Sequence, residues 1–178
     1  RTMNARGLLI AAPRSGSGKT TITLGLQRAL TRRGLAARGL KCGPDYIDPA
    51  FHAAATGAAS ANLDSYAMPD ALLAGIAGTA AQDADVIVAE GSMGLFDAVP
   101  GPEGHTGASA DIAALLGWPV VLVVDVSGQA QSAGAVALGC KLYDPRIRIA
   151  GVILNKVASE RHRRLAAPGM ERIGLPVF

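Results

Sequence analysis

The stretch that decides the fold is APRSGSGKTT at residues 12–21, which stands between an apolar run, GLLIAA, at 7–12 and an amphipathic segment at 20–33. The apolar run predicts a buried strand, and the segment predicts a helix that Gly34 ends. The stretch therefore forms the turn from a strand into a helix. At such a turn, backbone N–H groups and the helix N-terminus favour the binding of phosphate.

The residue types within the turn fit a phosphate-binding loop. Gly16 and Gly18 allow the backbone to approach a phosphate closely. Lys19 is predicted to reach the β- and γ-phosphates, and Thr20 is predicted to hold Mg²⁺. The pattern G-x-x-x-x-G-K-[ST] asks for a glycine at position 13, where this chain has Pro13. We nevertheless predict that ATP is contacted by the loop residues Ser15, Gly16, Ser17, Gly18, Lys19, Thr20 and Thr21.

Outward from this loop, apolar runs alternate with helical patterns to the end of the chain. Further strands are predicted at 36–41, 84–90, 119–125 and 149–155, with the start of another at 175–178. Further helices are predicted at 49–55, 69–81, 108–116, 131–143 and 159–173, and a long loop at 91–107. The alternation predicts one α/β domain over residues 1–178, with a doubly wound, mostly parallel sheet. Ligands of such sheets bind beyond the carboxyl ends of the strands.

Composition narrows the classes of function. Hydrophobic residues make up 49% of the 178 residues and charged residues 17%, which excludes a disordered chain. The net charge of +3 suits anionic ligands, but no basic block interleaved with aromatics indicates nucleic acid. No apolar run is long enough for a membrane span. Two cysteines and no secretory segment lead us to expect the cytoplasm. His52, His105 and His162 stand apart in sequence, so we expect no metal ligation by histidine.

Acidic residues follow the second predicted strand. Lys41, Asp45 and Asp48 lie close together in KCGPDYIDP. A single turn can direct both carboxylates at one site, where they hold Mg²⁺ or orient an attacking group. Alternatively, Asp45 forms an Asx-turn and Asp48 caps the next helix.

Other polar residues end the later strands. Glu90 ends the third predicted strand beside the phosphate loop, and is therefore predicted to be a catalytic Mg²⁺ ligand. Asp97, on the glycine-rich loop that follows, is either a substrate contact or a turn residue. Asp125 ends the fourth strand as a supporting or capping residue. Asn155 ends the fifth strand, where its amide can pair with the N6/N7 edge of adenine.

Taken together, these motifs resemble one family, the a,c-diamide synthases of cobalamin biosynthesis, in their ATP-dependent synthetase domain. KxGPDYIDP and EGxMGLFD carry most of the resemblance, which runs from residue 7 to 178. The other matching stretches are APRSGSGKTT, NLDSYAM, VVLVVDVSGQAQSAGA and IAGVILNKVASERH. NLDSYAM departs from the commoner NLDPW form, which leaves the contacts of Ser65 and Tyr66 open. The fold implied is a P-loop NTPase of the dethiobiotin synthetase-like type.

The resemblance implies a reaction. ATP phosphorylates the a and c carboxylates of cobyrinic or hydrogenobyrinic acid in turn, and ammonia displaces the phosphate to give amides. Lys41 is then a phosphate contact, Asn155 an adenine contact, and Asp45, Tyr46 and Asp97 are substrate contacts. Asp45 and Asp48 serve metal or substrate. In this family a glutaminase domain supplies ammonia from glutamine; we expect that domain to be absent here and the synthetase domain to be cut short at Phe178. A homodimer is one option for its assembly.

Two rival interpretations stay open. A dimeric P-loop switch ATPase is suggested by Arg14, which occupies the place of a second lysine in some of those proteins. A solvent-facing arginine and a phosphate contact are equally compatible with that position. The other rival is a related amidating or carboxylating synthetase that acts on a different substrate.

Overall fold

The computed structural model describes residues 6–178, in which strands and helices alternate along the chain. The strands are β1 Arg6–Ala11, β2 Ala37–Cys42, β3 Ala61–Leu63, β4 Val86–Glu90, β5 Val120–Asp125 and β6 Ile149–Asn155. The helices are α1 Lys19–Arg32, α2 Asp48–Thr56, α3 Asp70–Gln82, α4 Ser109–Leu116, α5 Ser132–Tyr143 and α6 Glu160–Glu171. No helix in this part of the chain has the length and apolar character needed to cross a membrane.

The strands form one parallel sheet in the order β3-β2-β4-β1-β5-β6. Strand β1 lies between β4 and β5, so the loop that follows β1 emerges between two groups of strand ends. In the register, Lys41 of β2 is paired with Glu90 of β4, and Asp125 of β5 is paired with Asn155 of β6. The strand order thus places two pairs of polar residues on opposite sides of the β1 loop.

Helices cover both faces of the sheet. Ile10, Val88 and Val123 pack on one face against apolar residues of α1. On the other face, residues such as Leu9, Ile87 and Leu122 pack against α3, α4, α5 and α6. The two sets alternate along each strand because successive side chains point to opposite faces. The core is made of small aliphatic side chains, as the 4% content of aromatics predicted.

The predicted alternation of strands and helices is confirmed, with bounds that differ by one or two residues. The short strand β3 was missed, because three residues carry too little periodicity to be recognised in sequence. The segment 175–178 contributes a single parallel bridge, between Val177 and Val152. Residues 91–107 form neither helix nor strand, as expected.

Candidate active site

The β1 loop has the backbone shape of a phosphate-binding loop. Gly16 and Gly18 adopt φ values of 74° and 94°, in the left-handed region where glycine is favoured. Ser17 Oγ donates a hydrogen bond to the carbonyl of Arg14, at 2.8 Å, which closes the turn. Helix α1 begins directly after Gly18, and no side chain caps its N-terminus. The first N–H groups of α1 are therefore available to an anion.

Beside this loop, on the β2–β4 side, lies a group of ionic residues that we call the buried charge cluster: Lys19, Lys41, Asp48 and Glu90. Lys41 Nζ lies 2.6 Å from Asp48 Oδ2 and 3.1 Å from Glu90 Oε1. Glu90 Oε1 also accepts a hydrogen bond from Thr20 Oγ1. The cluster brings together residues of α1, β2, α2 and β4. Lys19 and Glu90, its first and last members, are 71 positions apart in sequence.

Burial governs the electrostatics of the cluster. Glu90 is completely buried, and Lys41 and Lys19 are 4% and 8% exposed. Burial, together with the nearby charge of Lys41, lowers the pKa of Lys19. Burial also disfavours the charged form of Lys41, but the hydrogen bond to Asp48 and the charge of Glu90 outweigh it and raise the pKa. Burial works against ionised Glu90 as well, yet His52, Thr20 and Lys41 together lower its pKa. The ion pairs of Lys41 with Asp48 and Glu90 thus offset the cost of burying these charges.

Lys19 differs from expectation in one respect. We expected a lysine that faces a ligand rather than one that packs, whereas the structure buries it in the first turn of α1. Burial disfavours its charged form, while the nearby carboxylates of Glu90, Asp97 and Asp48 favour it.

The two aspartates of the β2 loop have different surroundings. Asp45 Oδ1 accepts hydrogen bonds from the backbone N–H of Ile47, at 2.8 Å, and of Asp48, at 3.2 Å. These bonds form the Asx-turn that the sequence allowed, and they lower the pKa of Asp45. Asp48 does not cap α2, in which Ile47 is the N-cap residue, and its carboxylate pairs with Lys41 instead. Tyr46 is 86% exposed at the tip of the loop.

His52 is a member of the site that sequence reasoning missed. It is completely buried in α2, and its Nε2 lies 2.9 Å from Glu90 Oε2. The sequence did hold a signal, because His52 follows Asp48 by four residues and so lies on the same face of the helix. We had treated the three histidines as isolated, since no second histidine or cysteine stands near any of them in sequence.

On the opposite, β5–β6 side of the loop, two adjacent residues bind its backbone. Asn155 Nδ2 donates a hydrogen bond to the carbonyl of Ser17, at 2.8 Å. Lys156 Nζ donates to the carbonyl of Gly16, at 3.1 Å. Asn155, the predicted adenine contact, therefore also fixes the phosphate-binding loop, and its Oδ1 stays available as an acceptor.

Asp125 connects this side of the site to Arg14. Its Oδ2 lies 2.8 Å from both Arg14 Nη2 and Lys156 Nζ. The hydrogen bond and charge of Lys156, together with hydrogen bonds from Ser127, lower the pKa of Asp125. We call Arg14, Asp125, Asn155 and Lys156 the loop clamp. In contrast to the buried cluster, its two cations are half exposed, at 63% for Arg14 and 48% for Lys156.

A cleft of about 520 Å³ opens between the β2 and β4 loops. Gly43 and Ser92 line the wall of this cleft. They follow Lys41 and Glu90 of the buried charge cluster by two residues each. Asp97 also lines the cleft, and its Oδ2 accepts a hydrogen bond from the N–H of Gly94, at 2.7 Å. The predicted substrate contact Asp97 thus faces the cleft and shapes its own turn as well.

Ser65 and Tyr66, whose contacts the sequence left open, hold the far wall of the cleft. Ser65 Oγ donates a hydrogen bond to Asp111 Oδ2, at 3.2 Å, and accepts one from the N–H of Gly107, at 3.0 Å. Thr106 binds the same carboxylate oxygen through its N–H and its hydroxyl. These bonds anchor the end of the long 91–107 loop. Tyr66 lines the cleft and is 64% exposed.

The oxygen atoms at the loop suit Mg²⁺ held jointly with phosphate. Within residues 6–178, no three His, Cys, Asp or Glu side chains form a metal site of their own. Mg²⁺ commonly takes one or two carboxylates and completes its shell with phosphate oxygens and water. The hydroxyl of Thr20 and the carboxylates of Glu90 and Asp48 lie around Lys41, next to the loop. These three side chains fit such a shared site.

Comparison with known proteins gives a family and a fold. The profile of the CobQ/CobB/MinD/ParA nucleotide binding domain (CbiA) matches residues 8–178. The chain is 58% identical over 175 residues to a protein of Mesorhizobium japonicum named hydrogenobyrinate a,c-diamide synthase, covering 98% of this chain and 40% of that relative. It is 59% identical over 175 residues to a protein of the same name from Rhodobacter capsulatus, covering 97% and 40%. The chain thus spans about two fifths of the length of these curated relatives.

Among solved structures, the signal recognition particle receptor FtsY from Elizabethkingia anophelis, in complex with GDP, superimposes with a TM-score of 0.71. The match covers 99% of this chain and 57% of that one, at 17% sequence identity. At this identity the likeness shows the fold alone. It confirms the prediction of a doubly wound P-loop fold.

Proposed function

The chain belongs to the CobQ/CobB/MinD/ParA nucleotide-binding domain family, and from this premise we propose that it is the ATP-binding synthetase part of a hydrogenobyrinate a,c-diamide synthase. One observation carries the proposal. The buried charge cluster joins the phosphate-binding loop to a cleft, at the ends of β2 and β4. The high identity to the named relatives supports the choice of substrate.

ATP is proposed to bind with its phosphates along the β1 loop and the N-terminus of α1. Lys19 and Lys41 supply positive charge, while Thr20, Asp48 and Glu90 hold Mg²⁺. When bound, Mg²⁺ offsets the negative charge of the β- and γ-phosphates. The amide of Asn155 faces the other side of the loop, where its Oδ1 accepts a hydrogen bond from the adenine N6 amino group.

The proposed chemistry has two steps. A carboxylate oxygen of the macrocycle attacks the γ-phosphorus of ATP, which forms an acyl phosphate and releases ADP. Ammonia then attacks the acyl carbon, loses a proton, and expels inorganic phosphate to leave an amide. The first step brings two negatively charged groups together, and the second develops negative charge on the acyl oxygen and the departing phosphate. Positioning and fixed positive charge therefore account for catalysis, and no side-chain nucleophile is needed. Lys19 and Lys41 fit that need because they are held rigidly at low exposure.

The cleft beside the cluster is proposed to receive the edge of the macrocycle. Its walls combine apolar surface, from residues such as Pro44, Met93 and Val99, with polar groups at Asp97 and Thr106. A corrinoid polycarboxylate has the same mixed character, with an apolar ring and a carboxylate rim. Asp45 and Tyr46 lie in the loop after β2, directly after Pro44 of the cleft wall, and are proposed as further contacts of the substrate.

Ammonia is proposed to come from glutamine hydrolysed by a separate glutaminase domain. A glutaminase of this kind uses a cysteine thiolate served by a histidine. Cys42 is 1% exposed, and burial raises the pKa of its thiol to about 12. Cys140 is 7% exposed in α5, and burial raises its pKa as well. Neither thiol is suited to glutamine hydrolysis, so the proposed amidation site uses ammonia that is formed at another site.

The rival switch ATPase has less support than it had in sequence. Arg14 was the residue that suggested it, and Arg14 Nη2 forms an ion pair with Asp125 of the same chain. An arginine engaged in this way supports the loop of its own subunit. The cleft next to the buried cluster also favours an enzyme with a small-molecule substrate.

The test is turnover of ATP with hydrogenobyrinic acid and either glutamine or an ammonium salt, with products separated by mass. We expect ADP formation that depends on the macrocycle, and masses that correspond to the mono- and diamide. Cobyrinic acid and dethiobiotin precursors serve as substrate controls. ATP hydrolysis that is indifferent to every carboxylate, accompanied by ATP-induced dimerisation, would instead establish the switch ATPase.

A further inference from the structure

The two oxygens of the Glu90 carboxylate have different partners. Oε1 accepts a hydrogen bond from Thr20 and lies 3.1 Å from Lys41 Nζ, and so faces the phosphate-binding loop. Oε2 faces the opposite way, into the space between α2 and the sheet, where it lies 2.9 Å from His52 Nε2. Apart from this ionic contact, neither of the two atoms has a hydrogen-bond partner within residues 6–178. The orientation of the carboxylate therefore depends on this contact.

The other edge of the imidazole ring is held by Gln27 of α1. Gln27 Nε2 donates a hydrogen bond to the carbonyl of Val88, at 2.9 Å, and lies 2.7 Å from His52 Nδ1. The two amide hydrogens of Gln27 can thus serve Val88 and Nδ1 together. Nδ1 also lies 3.0 Å from Gln27 Oε1. The Glu90 carboxylate that faces Nε2 can only accept, so the ring carries a hydrogen on Nε2. Val88, Gln27, His52 and Glu90 form one continuous series of polar contacts beneath the site.

Strand β2 leaves room for this arrangement. A Cβ atom at Gly39 would lie 2.6 Å from His52 Cβ and 2.7 Å from Gln27 Nε2, closer than packed atoms can approach. His52 and Gln27 are both completely buried. Burying two polar side chains costs free energy that an apolar pair of the same size would avoid, so stability alone does not explain this pair. The polar contacts lead from Gln27 through His52 to Glu90, which indicates that they serve to orient Glu90.

We propose that His52, itself oriented by Gln27, is a positioning residue that fixes Glu90 Oε2 and thereby keeps Oε1 directed at Thr20 and the phosphate-binding loop. The role rests on the proposed function, in which Glu90 holds Mg²⁺ with ATP. His52 does not reach the nucleotide or the substrate, and acts only through the carboxylate. Partners that orient a metal ligand in this way commonly account for about 10- to 100-fold in metal affinity or activity.

Two substitutions of the same residue separate this role from simple packing. In His52→Gln the side-chain amide can still present an N–H close to the place of Nε2. In His52→Asn the shorter amide stays near Gln27 but cannot reach Glu90. Both replace the buried ring by a smaller polar group, so loss of packing is shared. We expect His52→Asn to bind metal about 10- to 100-fold more weakly, while His52→Gln retains most of the parent's affinity.

The measurement uses Mn²⁺ in place of Mg²⁺, with a non-hydrolysable ATP analogue bound to the full chain, and follows free Mn²⁺ by electron paramagnetic resonance. Affinity for the analogue in the absence of metal is expected to stay near that of the parent in both variants. Equal Mn²⁺ affinities in His52→Asn and His52→Gln would overturn the positioning role. If His52→Asn does not fold, Gln27→Met with His52 intact is measured instead, and Mn²⁺ affinity equal to the parent's would again overturn it.

Gly39→Ala supplies an independent perturbation, because the added methyl group would meet His52 and Gln27 from β2. We expect the same weakening of Mn²⁺ binding, and an unchanged affinity would count against the role. A parent protein that binds no Mn²⁺ with the analogue would overturn the proposed function together with this role. If the variants differ in Mn²⁺ binding but the parent amidates no carboxylate, the proposed substrate fails and the positioning role stands.

Discussion

The two sides of the phosphate-binding loop carry similar charged residues, but these residues differ in how far they are exposed. On the β2–β4 side, the buried charge cluster sets Lys41 against Asp48 and Glu90, with both members of the Lys41–Glu90 pair below 5% exposure. On the β5–β6 side, the loop clamp sets Arg14 and Lys156 against Asp125, and both cations are about half exposed. Each side is built on a register pair at the carboxyl ends of adjacent strands.

This difference in exposure indicates that the buried charge cluster is suited to binding a ligand, whereas the loop clamp supports the conformation of the loop. Ion pairs with exposed members contribute at most about 1 kcal/mol, and a clamp needs no more than that, since Asn155 and Lys156 also bind loop carbonyls. Buried charges often cost more in lost hydration than their attraction returns, so stability alone does not explain the cluster. We therefore propose that the β2–β4 side carries the chemistry, and that the β5–β6 side fixes the shape of the loop. Substitutions on the two sides should therefore differ in kind.

The largest effect is expected for Lys19→Ala. Loss of a fixed charge at the phosphoryl group should raise the barrier by roughly 3–4 kcal/mol or more, by analogy with the loss of one oxyanion donor. ATP-dependent turnover should fall below detection. The free energy of unfolding should not decrease, because burial and the charge of Lys41 both disfavour the charged form of Lys19. Steady-state kinetics and thermal melts measure the two quantities, and near-normal turnover would remove Lys19 from the phosphate site.

Glu90→Gln is expected to act on the metal more than on the nucleotide. The substitution removes the charge that Oε1 presents next to Thr20, while the loop backbone and Lys19 remain. The Mg²⁺ concentration for half-maximal turnover should rise at least about tenfold, with little change in affinity for the nucleotide alone. Stability should fall by about 1–3 kcal/mol, because buried Lys41 and His52 lose a charged partner. An unaltered Mg²⁺ titration would assign Glu90 a structural role.

Asp48→Asn and Asp45→Asn form a matched pair within one loop. Asp48 pairs with Lys41 in the buried cluster, whereas Asp45 forms an exposed turn through one of its oxygens. Asparagine can replace aspartate in an Asx-turn, so Asp45→Asn leaves the backbone intact. We expect kcat/KM to fall by about 100-fold or more in Asp48→Asn, by the loss of a charge at the phosphoryl site. Asp45→Asn should show a smaller loss, confined to KM for the macrocycle; a larger loss there would place Asp45 at the metal.

Sequence predicted the sheet and the loop well, because both depend on local signals. The run GLLIAA, the glycines of the β1 loop and the acid that ends β4 each fix a local structure and a position at a strand end. Hence the presence of Lys19, Lys41 and Glu90 at one edge of the sheet followed from the order of elements. Their ATP and Mg²⁺ contacts remain predictions.

What sequence could not supply were contacts that depend on three-dimensional packing. The pairing of His52 with Glu90 requires α2 to lie against the sheet at a distance set by Gly39, which no pattern in α2 reveals. The burial of Lys19 in the first turn of α1 likewise depends on how the surrounding elements pack. Arg14 was ambiguous for the same reason, since its partner Asp125 is 111 residues away.

Asn155→Ala tests whether the clamp also recognises the base. Its Nδ2 donates to the carbonyl of Ser17, so the loop loses one hydrogen bond in the variant. We expect ATP affinity to fall about 30-fold, from roughly 1 kcal/mol for that bond and a similar contribution from adenine. The preference for ATP over GTP should narrow at the same time, as measured by competition binding. A parallel loss for ATP and GTP would restrict Asn155 to holding the loop.

The smallest effect is expected for Asp125→Asn, which removes the negative charge of the clamp and keeps an oxygen for Ser127. Because both cationic partners are about half exposed, we expect a loss of only about 0.5–1 kcal/mol in the free energy of unfolding near neutral pH. Turnover should stay close to that of the parent, since Asn155 still binds the loop. A loss of turnover as large as that of Glu90→Gln would contradict the division between the two sides.

The pH dependence of the same variant gives a second check. Lys156 and Ser127 hold the pKa of Asp125 below its usual range, so the folded state binds the proton less readily than the unfolded chain. The stabilisation is therefore fully present above the unfolded pKa of about 3.9, and is lost as the pH falls through the lower folded value. Thermal melts should show a gap between parent and Asp125→Asn that is constant from about pH 5 to 8 and closes below about pH 4. High salt should narrow the gap at neutral pH, because exposed ion pairs are screened. A gap that persists in acid and in salt would mean that Asp125 acts through its hydrogen bonds to Ser127, and that the charges of Arg14 and Lys156 do not hold the loop.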